Sequence, residues 1–478
     1  MTNEGIGHIK TGTGWIPKRA INAAPIMILF ILYAFVSQYM LLTLLAGIVL
    51  VVIINLIFKP YIPPVVLYLF FFHWIQIFGA VLYCDFLGQP FEVVFESIDT
   101  DYLFAVTMLQ ICAMVFLYSR VSKINFIPSL EALESAIDSI NIRKLLTVYA
   151  ASTLIFPTLI AATYSNASIS QIVLSFAVIR KVLLLMLIFI AFLRKTKYTN
   201  LIIGIVILEF VLSFASYFSN FKEIIICVVL VYLTVKPYVK TRQVLRLMPF
   251  AIIFIVFMTF WSSVKDSYRA YLNGGTRSQF VSVSGFDALD FLTTKATEFG
   301  VDSMNTGGEL LLHRVQYMQQ YSLVYSRVPR FIPFRNGDNL TETITFLLVP
   351  RLLVDEKKIL DPSLKTSYYT GKNFAAAEQG TSISMGYFCD LYVDFGLWLM
   401  FIPLLLITYG IAAVSNYIIN SDKYNTLFTY SLFIGTILSL GTFESDIIFY
   451  LGSIRNYAVF MILGNYLLFP WLNKYIRN

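Results

Sequence analysis

The chain of 478 residues is predicted to be all-α, a polytopic membrane bundle of about twelve transmembrane helices with one large outer helical loop. Hydrophobic residues make up 58% of the chain and charged residues only 13%, and the mean hydropathy is +0.73. A soluble domain carries about 25% charged residues and cannot bury so much apolar surface. Apolar windows of about 17 to 22 residues recur along the chain, which is the length that crosses a hydrocarbon core of roughly 30 Å.

The predicted transmembrane helices form two blocks on either side of a long polar stretch. Residues 1–22 are polar and basic and lack the apolar core of a signal peptide, so we expect a cytoplasmic tail. About nine helices occupy 23–261, the polar stretch covers 262–395, and about three helices and a short tail occupy 396–478. The spans are predicted at 23–39, 41–58, 63–84, 102–118, 145–163, 172–193, 200–218, 222–235, 246–261, 397–418, 426–443 and 447–470.

Lysine and arginine are concentrated in alternate connections between these spans. Because basic residues resist translocation, the connections that contain them are expected to be cytoplasmic. Both termini are then cytoplasmic, and the polar stretch 262–395 lies outside. The basic residues assigned to the cytoplasmic side are Lys10, Lys18, Arg19, Lys59, Arg120, Lys123, Arg143, Lys144, Arg194, Lys195, Lys197, Lys236, Lys240, Arg242, Arg246, Lys423, Lys474 and Arg477.

The outer loop, residues 262–395, contains 13 of the 35 Lys and Arg residues and 14 of the 28 Asp and Glu residues. Aromatic and apolar residues are frequent between these charges, so we expect short amphipathic helices that lie along the membrane surface. Thr306 and Glu309 form a T-x-x-E capping box, which predicts a helix that begins at 306 and runs to about 325.

His313 is the main candidate for a general base. On the predicted helix it shares one face with Glu309, Gln316 and Gln320, which follow a spacing of four, three and four residues. A histidine with a carboxylate one turn away can take a proton near neutral pH. The alternative is an ordinary polar face with a solvated histidine. Arg314 lies beside His313 in the sequence.

Charged residues inside the predicted spans are the second set of candidates, since each costs roughly 2.5–3.5 kcal/mol at the middle of a membrane helix. Arg180, Glu209 and Arg455 all lie about 12 to 13 Å below the outer ends of their helices, at about 1.5 Å per residue. This common depth favours a polar cleft that is open to the outside and binds an anionic head group. The alternative is an Arg180–Glu209 pair that only locks two helices together.

Arginines of the outer loop are further candidates for binding an anion. The planar guanidinium binds two phosphate oxygens at once, and a diphosphate needs several such groups. We expect only some of these arginines to reach a substrate, the others being solvated or paired with acids. The candidates are Arg269, Arg277, Arg314 and Arg351.

Two segments resemble a known family. The sequence VPRLLVDEKK at Val349–Lys358, followed by GTSISMGYFCDLYVDFG at Gly380–Gly396 and an apolar helix, is similar to the Wzy-type polysaccharide polymerases. These belong to the O-antigen polymerase and ligase superfamily of lipid-linked glycosyltransferases. The resemblance implies a bundle of about a dozen helices with a large outer loop, which agrees with the spans read from hydropathy.

The resemblance also implies a reaction and a location. Oligosaccharide repeat units carried on undecaprenyl diphosphate would be joined into a surface polysaccharide at the outer side of the bacterial cytoplasmic (inner) membrane. Undecaprenyl diphosphate would be the leaving group, and no metal or other cofactor is required. The expected partners are the lipid-linked oligosaccharide, the bilayer, and possible chain-length regulator and flippase proteins. Nucleic acid is not expected, because the positive-inside bias accounts for the net charge of +7.

Roles in this reaction are expected for two groups of residues. The catalytic candidates are His313, Glu309, Arg314 and Arg351, and the substrate-binding candidates are Arg180, Arg455, Glu209, Arg269 and Arg277. Two other functions stay open. One is a ligase of the same superfamily, which moves a finished glycan to an acceptor. The other is a flippase or exporter of lipid-linked sugars, although such proteins generally lack a large outer loop.

Overall fold

The computed structural model describes residues 23–124, 127–163, 167–215, 221–238, 241–275, 281–349, 361–374, 383–440 and 443–477. Within these residues the regular structure is helical and contains no strand, only an isolated bridge between Ile140 and Arg477. The predicted all-α class is therefore confirmed.

The part of the chain before the outer loop folds into a bundle of long helices joined by short connections. The first four are α1 (Ala24–Ala34), α2 (Met40–Ile57), α3 (Val65–Leu87) and α4 (Phe91–Phe95). They are followed by α5 (Thr100–Val121), α6 (Leu130–Ser135), α7 (Ile142–Thr163), α8 (Ala167–Leu193), α9 (Thr199–Leu212), α10 (Phe221–Val235) and α11 (Thr241–Leu272).

The outer loop and the last block are also helical where they are described. The loop contributes α12 (Gly285–Thr297), α13 (Val301–Val315), α14 (Met318–Arg327), α15 (Asp338–Leu348), α16 (Pro362–Thr370) and α17 (Tyr387–Leu399). The last block contains α18 (Phe401–Ile419), α19 (Thr426–Leu438) and α20 (Ile447–Leu463), then a π-helix (Gly464–Leu468) and α21 (Phe469–Ile476).

Eight helical segments of the described chain are long and apolar enough to cross a membrane. They are α2, α3, α5, α7, α18, the segment Ile172–Leu193 of α8, the segment Met248–Leu272 of α11, and the continuous run Ile447–Ile476. The helices α1, α9 and α19 are apolar but shorter, and α10 has 15 residues. Every predicted span coincides with a helix. The protein is a membrane protein, and its described residues support eight membrane crossings.

The most buried helices of the described chain are α3, α8 and α19, and α19 packs against both of the others. The nine residues from Val182 to Ile190 are all buried, so α8 is covered on every side there. In α3 the buried His73 has a partner for each ring nitrogen. Its Nδ1 lies 2.7 Å from the carbonyl oxygen of Leu69, and its Nε2 lies 2.8 Å from the hydroxyl of Tyr387. His73 is thus a satisfied core histidine.

The predicted helix over 306–325 is wrong in its start and its continuity. The helix α13 begins at Val301, so Thr306 lies inside it and donates its hydroxyl proton to the carbonyl of Asp302, 3.1 Å away. The chain leaves helical geometry after Val315 because the N–H of Tyr317 donates to the carbonyl of Gln76 in α3, 2.8 Å away. Gln316 and Gln320 therefore do not continue the helix that carries Glu309 and His313.

The helices α13 and α14 pack into the bundle, whereas the sequence predicted that helices of the outer loop lie along the membrane surface. The helix α13 lies between α3 and α11. A Cβ atom at Gly307 would stand 2.4 Å from the carbonyl oxygen of Thr259, so α13 and α11 touch through their backbones. In α14 the side chains of Met318, Tyr321 and Val324 are fully buried. The predicted loop boundary at 262 is also too early, since α11 continues to Leu272.

Candidate functional site

The outer loop enters the bundle at the middle of α3. Gln316 lies against Gly79, where a Cβ atom would stand 3.1 Å from the Gln316 nitrogen, and the N–H of Tyr317 donates to the carbonyl of Gln76. The side chain of Gln76 donates from Nε2 to Glu444, in the connection between α19 and α20, at 3.2 Å. A helix in the middle of the bundle, the outer loop and the last block thus meet around Gln76, Gly79 and Glu444, and we call this meeting point the recess.

Four basic side chains form a group, and one of them, Lys222, lies within electrostatic range of Glu444. They come from three helices: Lys222 from α10, Lys265 and Arg269 from α11, and Arg314 from α13. Both lysines lie within electrostatic range of the two arginines, and Lys265 lies within range of Lys222. We call these four residues the basic cluster. Two of them, Arg269 and Arg314, were substrate-binding and catalytic candidates from the sequence.

Acidic side chains lie near members of the basic cluster. Arg314 Nη2 lies 3.2 Å from Asp266 Oδ1, and Glu444 lies within electrostatic range of Lys222. Lys222 and Lys265 form no ion pair or hydrogen bond with any described residue. Like charges held this close repel one another, and a bound anion would relieve that repulsion. The arrangement is suited to a multiply charged anion such as a diphosphate.

His313 lies one residue before Arg314 and faces Gln319 rather than Glu309. Its Nε2 is 2.9 Å from Gln319 Oε1, and its ring meets Tyr83 edge-on with the centroids 5.5 Å apart. Glu309 is exposed and forms no hydrogen bond or ion pair with His313 in the described structure. When Nε2–H donates to Gln319, Nδ1 keeps a lone pair that can accept a proton. The structure therefore gives His313 a different partner from the Glu309 expected from the sequence, and its role as a base stays a prediction.

Arg180 and Glu209 form the ion pair that the sequence offered as the alternative to a polar cleft. The guanidinium of Arg180 contacts both oxygens of the Glu209 carboxylate, which also accepts a hydrogen bond from the hydroxyl of Tyr149. The pair joins α7, α8 and α9. The next residue, Lys181, pairs with Glu223 of α10 and donates to Ser439 Oγ at 3.2 Å. Glu223 directly follows Lys222 in the sequence. A series of charged residues therefore extends from α9 to the basic cluster.

Arg455 of α20 contacts the C-terminal end of α15, a helix of the outer loop. Its Nη1 donates to the carbonyl of Leu347 in the last turn of α15 at 3.0 Å, and its Nη2 donates to Asn456 Oδ1 at 3.0 Å. A cation at a helix C-terminus is favourable because the last carbonyls have no helical partner. Arg455 thus fixes α15 against α20. Of the remaining candidates, Arg277 and Arg351 lie outside the described residues.

A buried group of charges holds the outer loop to the last block. Lys365 Nζ of α16 lies 2.5 Å from Asp390 Oδ1 of α17, and the other oxygen of Asp390 accepts from the N–H of Ile447 at 2.8 Å. One turn later, Asp394 accepts from the N–H groups of Asn339 and Leu340 at the start of α15, at 3.1 and 2.7 Å. The helix α17 therefore caps the N-termini of both α20 and α15.

Burial raises the pKa of two acids near these helix ends, Asp394 and Asp446. It raises the pKa of Asp394 from 3.8 to about 6, while the N–H groups of Leu340 and Asn339 and the charge of Lys365 act in the opposite direction. Burial and the nearby Asp390 charge also raise the pKa of Asp446, which caps α20 by accepting from Phe449 N–H at 2.6 Å. Both carboxylates accept hydrogen bonds from the first turn of a helix, Asp394 from α15 and Asp446 from α20.

Comparison with known proteins identifies a family. A family model described as a domain of unknown function (DUF8712) matches residues 51–476, so the chain belongs to that family. No curated protein and no solved structure matches the chain.

Proposed function

We propose that this member of the DUF8712 family joins oligosaccharide units carried on undecaprenyl diphosphate into a polysaccharide. The proposal rests on the resemblance of Val349–Lys358 and Gly380–Gly396 to the Wzy-type polymerases. It rests also on the basic cluster, which is the single structural observation that carries it. We place the reaction at the outer side of a bacterial cytoplasmic membrane, with both termini cytoplasmic.

In the proposed reaction, a sugar hydroxyl of one unit attacks the anomeric carbon of another. The bond between that carbon and the diphosphate oxygen breaks, and undecaprenyl diphosphate leaves with its electrons. The negative charge on the diphosphate increases as the bond breaks. Cations already held around that charge stabilise the transition state more than the ground state. This is the role that we propose for Lys222, Lys265, Arg269 and Arg314.

The acceptor hydroxyl must lose a proton in the same step. We propose that neutral His313 takes it on Nδ1, with Gln319 holding the ring through Nε2. Because His313 and Arg314 are consecutive on α13, the base and one cation of the cluster move with the same helix. Glu309 lies one turn away and would act on the imidazolium only through longer-range attraction.

The test uses purified full-length protein in nanodiscs and lipid-linked repeat units extracted from a strain that lacks the gene. The expected products are lipid-linked dimers and longer chains, together with one undecaprenyl diphosphate for each bond formed. A ligase would release undecaprenyl diphosphate only when a separate acceptor is added. A flippase would transfer the intact lipid between leaflets and release none. Failure to form dimers with the authentic repeat unit would contradict the proposal.

A further inference from the structure

A cavity lies at the other end of the bundle, between α18, α20 and α21. Its volume is about 670 Å³, which is within the range of ligand-binding pockets. The C-terminal segment closes this end, since the carbonyl of Ile476 accepts a hydrogen bond from Asn141 N–H, before α7, at 2.7 Å. The recess at Glu444 precedes the first turn of α20, whereas the cavity lies beside the last turns of α20. The two sites are therefore separate.

The π-helix Gly464–Leu468 forms one wall of the cavity. A Cβ atom at Gly464 would stand 2.4 Å from the ring of Phe469, so only glycine allows this packing. Within the π-helix, Asn465 holds two tyrosines in place. Its Oδ1 accepts from the Tyr424 hydroxyl at 2.8 Å, and its Nδ2 donates to the Tyr417 hydroxyl at 3.3 Å. π-Helical turns of this kind occur frequently at functional sites.

One buried polar atom in the cavity wall lacks a partner. Asn473 is only 8% exposed, and its Oδ1 meets no hydrogen-bond donor among the described residues. A buried acceptor without a donor is costly, and most such groups in proteins are satisfied. The group that completes this site must therefore supply a donor, such as a hydroxyl or an ammonium.

The same cavity presents a positive charge and an apolar side. Lys423 lines it and is exposed, so its ammonium can approach an anion. Ile462 lines it with 58% of its surface exposed, and Leu467 of the π-helix is 70% exposed. Exposed aliphatic side chains on a membrane helix face lipid chains, and tyrosines are favoured where the chains meet the head groups.

We propose that this cavity binds the head group of an anionic glycerophospholipid that carries a free hydroxyl, as phosphatidylglycerol does. Lys423 contacts the phosphate, the Asn473 carbonyl accepts the hydroxyl proton, and the acyl chains lie along Ile462. The exposed Arg477 at the same end also favours an anionic leaflet. This inference does not depend on the proposed polymerisation.

The test titrates the delipidated full-length protein with three lipids that have the same acyl chains and counts bound lipids by native mass spectrometry. Phosphatidylglycerol is compared with phosphatidylcholine, which is zwitterionic, and with phosphatidylethanol, which has the same charge as phosphatidylglycerol but no hydroxyl. We expect the order phosphatidylglycerol, then phosphatidylethanol, then phosphatidylcholine. Lys423→Gln should weaken phosphatidylglycerol binding about tenfold, because a charge-assisted contact is lost.

Two further variants separate the contacts. Asn473→Leu should remove the preference for phosphatidylglycerol over phosphatidylethanol and leave the preference over phosphatidylcholine. Lys474→Gln, an exposed lysine of the same end that does not line the cavity, should change binding less than twofold. Lys423 is exposed, so its variant does not threaten folding. Equal retention of phosphatidylglycerol and phosphatidylcholine, or unchanged binding in Lys423→Gln, would overturn the proposal.

Discussion

The N–H of Tyr317 donates a hydrogen bond to the carbonyl oxygen of Gln76, 2.8 Å away, and this bond anchors the outer loop halfway along α3. Gln76 lies eleven residues before Leu87, the end of the helix, which corresponds to roughly 16 Å at 1.5 Å per residue. The residues that follow His313 therefore reach into the bundle.

The orientation of the chain in the membrane can be tested by labelling single cysteines that are introduced at chosen positions. Three of the four native cysteines are buried. In a background without native cysteines, Phe286→Cys in α12 should react with an impermeant reagent on intact cells, as Phe286 is 87% exposed. Lys423→Cys should react only after permeabilisation. The reverse pattern would place the outer loop in the cytoplasm and exclude the proposed reaction there.

His313→Ala should lower the rate of glycosyl transfer by about 10²- to 10⁴-fold, since that is the usual contribution of a general base. Glu309→Gln should lower it less than about threefold, because Glu309 forms no bond with His313 and a long-range, exposed charge contributes little. Initial rates with purified protein and lipid-linked repeat units provide the comparison. A fall of less than about fivefold for His313→Ala would make His313 a surface residue without a catalytic role.

The double variant Lys222→Gln/Lys265→Gln should abolish detectable polymer while the protein remains in the membrane. Removing two positive charges weakens both diphosphate binding and stabilisation of the leaving group. Lys295→Gln is the matched control, because Lys295 is an outer-loop lysine that pairs with Glu298 at 2.7 Å on the surface of α12. Polymer length and amount are read from gels of complemented deletion strains. Wild-type polymer from the double variant would refute the role of the basic cluster.

Glu209→Ala should lower the thermal unfolding midpoint, because it leaves the Arg180 guanidinium without its carboxylate inside the bundle. Replacing both residues by Met should recover much of this loss, since two apolar side chains leave no unpaired charge. Midpoints are measured on detergent-purified protein. If the double variant has the same unfolding midpoint as Glu209→Ala, the unpaired charge of Arg180 is not the cause of the lost stability. Loss of polymer in a stable double variant would assign Arg180 to substrate binding, as predicted from the sequence.

Asp394 should make stability depend on pH between about 4 and 6. Its pKa in the folded protein is about 6, above its ordinary 3.8. In this range the folded protein holds a proton that the unfolded chain has lost, so the unfolding free energy falls as pH rises. The whole effect is at most roughly 3 kcal/mol, the equivalent of that change in pKa.

The thermal midpoint of the wild type relative to Asp394→Asn should therefore decrease between pH 4 and pH 6.5. Glu342→Gln serves as a control, because Glu342 is an exposed acid of α15 that pairs with Arg335 on the surface. Its difference from the wild type should stay constant over the same range. A difference between the wild type and Asp394→Asn that rises with pH would contradict the sign of the shift.

The sequence predicts the helices well because hydropathy and length are local properties. Each predicted span coincides with a helix. The Arg180–Glu209 pair, which the sequence offered as the alternative to a polar cleft, forms between neighbouring helices. The end of α11 was missed because Lys265, Asp266 and Arg269 reduce the local hydropathy. These charges lie on the part of α11 that extends beyond its apolar segment. Hydropathy averaged over a sequence window cannot distinguish such a polar helical turn from a loop.

The site itself depends on contacts that no local pattern contains. Lys222 was read as the first residue of a span, and only the packing of α10 against neighbouring helices brings it to Lys265 and Arg314. The break after Val315 arises from a bond to a carbonyl more than two hundred residues earlier in the chain. The helix start predicted from the capping box at Thr306 was wrong for a related reason. The packing of α13 extends this helix back to Val301, before the local signal.

The contact of Gly307 with the Thr259 carbonyl leaves no room for a methyl group between α13 and α11. Two helices that touch through their backbones cannot slide or rotate independently, so they form one mechanical unit. That unit carries Lys265 and Arg269 on one helix and His313 and Arg314 on the other. Any movement that opened the recess to a lipid would therefore displace the base and the cations together, and their spacing would be the same in the open and the closed state.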